Sequence, residues 1–215
     1  MDQNQLMLAL TKGDRVLDQE LALLARAGIE PLEDPRSSRK LIFDTSLEGV
    51  QFMLLRSSDV ATYVQHGIAD VGMAGRDVLL EHGEEGYYQP LDLDFGHCRI
   101  MEAGLVDEPP LPRRIRVATK FVNFAQRYYA RMGRQVDIIK LYGAMELAPM
   151  TGMAHRIIDI VETGNTLKAN GLTPMNLIHD VSTRLIVNKT AMKVKHRVVA
   201  EFIERMRASV KEGKS

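Results

Sequence analysis

Cysteine, excess charge of either sign and long apolar runs are all scarce in this chain, and each absence removes a class of function. Cys98 is the single thiol in 215 residues, so there is no internal disulfide framework and no multi-cysteine zinc site, and a reducing compartment is expected. Lys and Arg number 28, as do Asp and Glu, so no net field gathers nucleic acid or an anionic membrane, and any anion site must be local. The start, Met1-Asp-Gln-Asn-Gln5, is polar, and Leu6–Leu10 is too short for a signal core or a membrane span, which makes the cytoplasm the expected location. His66, His82, His97, His155, His179 and His196 show no paired ligand spacing, and no protein metal site is expected. Cys98 reads as a buried small apolar residue and the methionines as core filling.

What is present is an alternation of strand and helix signals. Leu6–Leu10 predicts a buried strand, Thr11-Lys-Gly-Asp14 a turn, and Arg15–Ala27 an amphipathic helix stopped by Gly28. Lys40–Phe43, Val50–Leu55 and Ala69–Met73 follow as strands, with Ser57-Ser-Asp59 capping a helix that ends at His66. After a proline-marked loop at Asp107–Pro112 the rhythm returns: strands at Ile115–Ala118, Val136–Leu141 and Ile157–Val161, a helix at Phe121–Met132 and a short one near Met145. Leu177–Val187 reads as one long strand back to the first lobe. Lys189–Val210 reads as a closing helix with Met192, Val198, Val199, Phe202 and Met206 inward, followed by a short disordered-looking tail, Lys211–Ser215. The expected architecture is α/β, two lobes of mostly parallel sheet with an interlobe cleft, like the type II periplasmic binding proteins. Lobe one takes residues 1–92 and 180–215, and lobe two 93–179.

The most informative run is Asp159-Ile-Val-Glu-Thr-Gly-Asn-Thr-Leu167. A strand feeding a helix through glycine offers backbone N–H groups to an anion. Thr163 and Thr166 add hydroxyl donors, and Asp159 and Glu162 can accept from ribose hydroxyls. The same residues also fit a plain tight turn with an Asn or Thr N-cap.

Met53-Leu-Leu-Arg-Ser-Ser-Asp-Val-Ala-Thr-Tyr-Val64, Ala69-Asp-Val-Gly-Met-Ala-Gly75, Lys140-Leu-Tyr-Gly-Ala-Met-Glu-Leu-Ala-Pro149, the Asp159–Leu167 run and Ser182-Thr-Arg-Leu-Ile-Val-Asn188 stand in one order. Together they resemble the ATP phosphoribosyltransferase family of histidine biosynthesis. The chain ends one helix beyond Asn188, which is similar to the family's short form, without an added regulatory domain. The resemblance implies a reaction in which adenine N1 of ATP displaces magnesium pyrophosphate from C1 of phosphoribosyl pyrophosphate. It also implies a homodimer with a separate regulatory subunit resembling histidyl-tRNA synthetase, and Mg²⁺ carried by pyrophosphate. Residue by residue, it assigns Arg56, Lys12 and Arg15 to catalysis. Glu146, Asp159, Glu162, Thr163, Gly164, Asn165, Thr166, Arg39 and Lys40 would bind phosphoribosyl pyrophosphate, and Thr11, Lys12, Gly13, Arg15, Arg56 and Gly75 would bind ATP. Lys12-Gly-Asp-Arg15 carries one residue more than the family's Lys-Gly-Arg, His155 stands where an acid is usual, and Tyr142 and Ala144 replace Asn and Ser. Read without the resemblance, the cations are solvated or ion-paired surface charges and Glu146 a helix-start acid. A two-lobed fold also suits a non-catalytic small-ligand-binding module, or a weak catalytic subunit serving its partner as a scaffold.

Overall fold

The computed structural model describes residues 5–213, so Met1–Asn4 of the polar start and Lys214–Ser215 of the tail lie outside the described residues. In chain order the elements are β1 (Leu6–Thr11), α1 (Asp14–Arg26), β2 (Ile42–Asp44), β3 (Val50–Leu55), α2 (Ser57–Gln65), β4 (Val71–Gly75), α3 (Arg76–His82) and β5 (Tyr87–Asp92). Then come β6 (Cys98–Leu105), β7 (Ile115–Thr119), α4 (Val122–Arg131), β8 (Val136–Lys140), α5 (Leu147–Met150), β9 (Arg156–Val161), α6 (Asn165–Ala169) and β10 (Leu172–Val181). The chain closes with β11 (Thr183–Asn188), α7 (Lys189–Val194) and α8 (His196–Glu212). None of the described helices is long and apolar enough to cross a membrane.

Two compact units result, residues 1–96 with 182–215 and residues 97–181. The changeovers fall a few residues beyond the expected ones because Leu93 donates its N–H to the Thr183 carbonyl and Thr183 donates to Phe95, which ties 93–95 to the first unit. In that unit β1 is apolar from Leu6 to Leu10 because both its faces are covered. Leu6, Leu8 and Leu10 pack on Leu17, Leu24 and the α8 side chains Phe202 and Met206. Ala9 packs with Met53, Val60 and Val64 on the other face. Each fully buried Leu, Phe or Met contributes about 1.5–3 kcal/mol.

The sheets are mixed rather than mostly parallel. The first runs β2-β3-β1-β4-β11-β5 and the second β10-β6-β9-β7-β8. Parallel pairing is confined to β3-β1-β4 and β8-β7-β9. The antiparallel pairings arise where the chain changes unit, through β5, β6, β10 and β11, and at the short edge strand β2.

Four local expectations are corrected. The expected Leu177–Val187 strand is two strands broken at Ser182, one in each unit. The closing helix breaks at Lys195, whose ammonium instead bonds the Gln5 carbonyl and Asp70, each at 2.8 Å, and α8 then runs on through Glu212 into the expected tail. Cys98 is half-buried because it opens β6 at the unit's margin. Met132, Met150 and Met153 are exposed rather than core filling.

Candidate active site

In the first unit three adjacent parallel strands end at one edge and each hands over to a helix. The register sets Thr11 beside Leu55, so Lys12 and Arg56 follow side by side, and the Lys12 N–H donates to the Leu55 carbonyl at 2.5 Å. Gly13, Arg56 and Gly75 are the N-caps of α1, α2 and α3, and no side chain caps any of the three. The first turns of α1 and α2 carry the positive end of each helix dipole. The expected Ser57–Asp59 cap is inside α2, one residue past its true start at Arg56.

β2 lies antiparallel to β3, and the Leu54 N–H to Leu41 carbonyl bond continues that register. Arg39 and Lys40 therefore reach the same edge as Lys12 and Arg56. All four are exposed. Lys40 pairs with Glu33 at 2.5 Å, an exposed pair worth well under about 1 kcal/mol that an anion could displace. Arg56 has no ion pair among the described residues, and Arg15 sits exposed on the first turn of α1. A locally positive edge thus arises in a chain of zero net charge. Gly75 ends β4, next to β1. The β1–β4 pairing stops at Ala9 and Gly72, and the two strands diverge toward their carboxyl ends.

The second unit repeats the arrangement with β7 at the centre. β9 is followed by Glu162 and Thr163, both exposed, before Gly164 turns into α6 with φ 80° and ψ 2°, the left-handed region that only glycine enters cheaply. The Asn165 N–H reaches Thr163 Oγ1 only at 3.4 Å, so neither Asn165 nor Thr163 closes the turn as a cap. Arg99 on β6 fixes the approach, donating to the Glu162 carbonyl at 3.0 Å. Asn165 and Thr166 are exposed on the first turn of α6.

Asp159 is half-buried beside this turn. Burial pushes its carboxyl up, the Lys120 charge and the Ile160 N–H pull it down, and the nearby Glu146 charge raises it again. Lys120 Nζ stands 3.6 Å from Asp159 Oδ1. Glu146 is the half-buried N-cap of α5, so the helix-start reading and the site reading apply to the same side chain. Among the described residues no three His, Cys, Asp or Glu side chains group as a metal ligand set.

Lys120 was missed from the sequence, although a signal existed: Thr11-Lys12 and Thr119-Lys120 each finish the central strand of a unit. His155 is tied to β7: its Nδ1 accepts the Arg116 N–H at 2.9 Å, and its backbone N–H donates to the Arg116 carbonyl at 2.8 Å. Tyr142 is largely exposed under the Lys140 ammonium, and Ala144 adopts φ 49° in the loop before α5.

Comparison with known proteins bears on this geometry. A family profile described as HisG, ATP phosphoribosyltransferase, matches residues 56–208. An ATP phosphoribosyltransferase of Ectopseudomonas mendocina is 58% identical over 205 residues, covering 95% of this chain and 97% of the relative. A chain of the ATP phosphoribosyl transferase (HisG:HisZ) complex from Thermotoga maritima superposes with a TM-score of 0.85 at 33% identity, covering 97% of this chain and 100% of that one. The Tv2483 protein bound to L-arginine shares the fold alone, with a TM-score of 0.60 at 11% identity, 98% of this chain and 85% of that one being covered. With relatives more than half identical along nearly the whole chain and the family profile matching residues 56–208, the chain belongs to the ATP phosphoribosyltransferase family.

Proposed function

We infer that the chain catalyses attack of adenine N1 of ATP on C1 of phosphoribosyl pyrophosphate, giving N1-(5-phosphoribosyl)-ATP and pyrophosphate. The observation that carries the reading is the convergence, at the carboxyl ends of β3, β1 and β4, of Arg56, Lys12 and two uncapped helix N-termini on one edge. Family membership at 58% identity supports it over the non-catalytic binding module, since the likeness to an arginine-bound protein at 11% identity speaks only for the fold.

The difficult step is departure of pyrophosphate, during which ribose C1 gains positive and the leaving group negative charge. Adenine N1 attacks with its lone pair and has no proton to lose, so orientation matters more than a general base. Arg56 presents a planar fork to pyrophosphate oxygens as their charge grows, with Arg39, Lys40 and Arg15 as further anion contacts. Thr11, Lys12, Gly13 and Gly75 receive the ATP phosphates. Thr163, Gly164, Asn165 and Thr166 hold the 5′-phosphate, and Asp159, Glu146 and Glu162 accept from the ribose hydroxyls. Lys120 opposes the rise that burial imposes on the Asp159 carboxyl.

Mg²⁺ enters on the pyrophosphate of the substrate and, when bound, screens the charge that the leaving group gains. Asp159 and Glu146 fit it as hard oxygen donors whose charges already influence each other, and they are the residues that would hold it alongside substrate oxygens. By the same family relation the chain would be a cytoplasmic catalytic subunit. It would act as a homodimer with a histidyl-tRNA-synthetase-like regulatory partner, as the Thermotoga complex pairs HisG with HisZ.

The test mixes the chain with ATP, phosphoribosyl pyrophosphate and Mg²⁺, with and without that partner. Adduct and pyrophosphate in equal amounts are expected; neither product, even with the partner present, would sink the reading. Turnover that appears only with the partner would favour the scaffold role.

A further inference from the structure

Glu20 lies in the middle of α1 and is completely buried, an unusual position for a carboxyl group. The reason lies in the sheet. The N–H groups of β1 that face β4 have three different fates. Met7 donates to Asp70 Oδ2 at 2.9 Å where the strands begin. Ala9 lies in the ladder, whose last pair is Ala9 with Gly72. Thr11, two residues on, has lost β4, and its N–H is taken by Glu20 Oε2 at 2.8 Å. The Thr11 hydroxyl also bonds the carboxyl. Glu20 thus stands in for the missing strand, at the point where β1 releases Lys12 and Gly13.

The arrangement is costly to the glutamate. Burial pushes its carboxyl well up, only the Thr11 bonds oppose this, and Oε1 is buried without a hydrogen-bond partner among the described residues. Glu102, the other deeply buried glutamate, has both oxygens engaged, by Tyr129 at 2.6 Å and Asn176 at 2.7 Å, inside a purely structural network. A half-used carboxyl would be replaced without loss by an apolar side chain if packing were its only task.

We propose that Glu20 is a positioning residue for the anion-binding end of β1: by holding Thr11 where β4 turns away, it sets the direction of Lys12 and Gly13 toward the ATP phosphates. The proposal rests on the reading that this segment receives ATP. Glu20 touches no substrate and acts through Thr11.

The experiment compares full-length Glu20→Asp, Glu20→Gln and Lys12→Ala, assayed with the regulatory partner where turnover requires it. Aspartate is one methylene too short to reach Thr11. It should raise the KM for ATP about tenfold while kcat and the KM for phosphoribosyl pyrophosphate stay within about twofold. Glutamine keeps an acceptor oxygen in place and should recover most of that loss. If the aspartate variant does not fold, Glu20→Ala, which removes the buried acid entirely, should give the same selective rise. A fall in melting temperature with both KM values unchanged, or an equal rise in both, overturns the positioning role. Lys12→Ala separates the two ideas. If it leaves the KM for ATP unchanged, the reading of the segment fails; if it raises that KM and neither Glu20 truncation does, only the role of Glu20 fails.

Discussion

The two units build the same device, a central parallel strand flanked by two others with the chain entering helices at the carboxyl edge, but they finish it differently. In the first, β1 and β4 part after Ala9, and the strand end is held from below by a buried acid. In the second, β7 and β9 stay paired to Thr119 and Ile158, the Thr119 hydroxyl bonds the Ile158 carbonyl at 2.6 Å, and Lys120 meets Asp159 directly above. The glycines differ too. Gly164 needs its left-handed φ of 80°, whereas Gly13, at φ 167°, is in extended backbone that any residue adopts, and a Cβ there would meet nothing within 4 Å. The first edge is open and cationic, suited to charge that grows during reaction. The second is closed and shaped, suited to a fixed phosphate and sugar.

The largest effect should come from Arg56→Ala. Removing a cation from the leaving group should lower kcat about 100-fold or more while both KM values change only a few-fold. The fold should persist because the side chain is exposed and the helix needs only the backbone of its N-cap. Equal losses in turnover and affinity would contradict the contrast between the edges.

Gly164→Val comes next. A β-branched residue at positive φ costs about 1–2 kcal/mol, and relieving it by moving the turn should weaken phosphoribosyl pyrophosphate about 5- to 30-fold. The melting temperature should fall by only a few degrees, since the turn lies outside the core.

Lys120→Met probes how the second edge is tuned. Burial raises the Asp159 carboxyl and Lys120 lowers it, so removing the lysine should carry it higher. On the proposed role of Asp159 as an acceptor carboxylate, the acid limb of the kcat/KM profile should move to higher pH; a shift to lower pH would refute the pairing. The smallest effect is expected from Gly13→Ala. Stability should stay within about 0.5 kcal/mol, and any rise in the KM for ATP would report ligand approach alone, because neither backbone nor neighbours object. A marked loss of stability would erase the distinction between the two glycines.

Legibility followed the range of the forces involved. β1, β3, β4 and β9 are visible in the sequence because each is a largely apolar run buried on at least one face, and the Asp159–Thr166 turn because its residues are neighbours in the chain. The break at Ser182 is invisible, since apolar periodicity continues across it while the pairing partners change from β6 to β4 and β5. Lys195 ends a helix through contacts with Gln5 and Asp70, which no local pattern announces. Glu20 is the clearest case. In the amphipathic pattern of α1 an acid reads as the solvated face, and only the divergence of β4 from β1 explains why it is inside. Of the site, the cations and the glycine turn were legible one by one. That Arg39 and Lys40 share an edge with Lys12 and Arg56 follows from strand order and register.

Calorimetric titration of phosphoribosyl pyrophosphate with Mg²⁺ into Gly164→Val and Arg56→Ala, side by side with the parent chain, tests the division of labour most directly. The Gly164 variant should bind markedly more weakly than the parent, while the Arg56 variant should bind within a few-fold of it and fail mainly in turnover. Parent-like binding to the Gly164 variant, with binding lost in the Arg56 variant, would contradict that division.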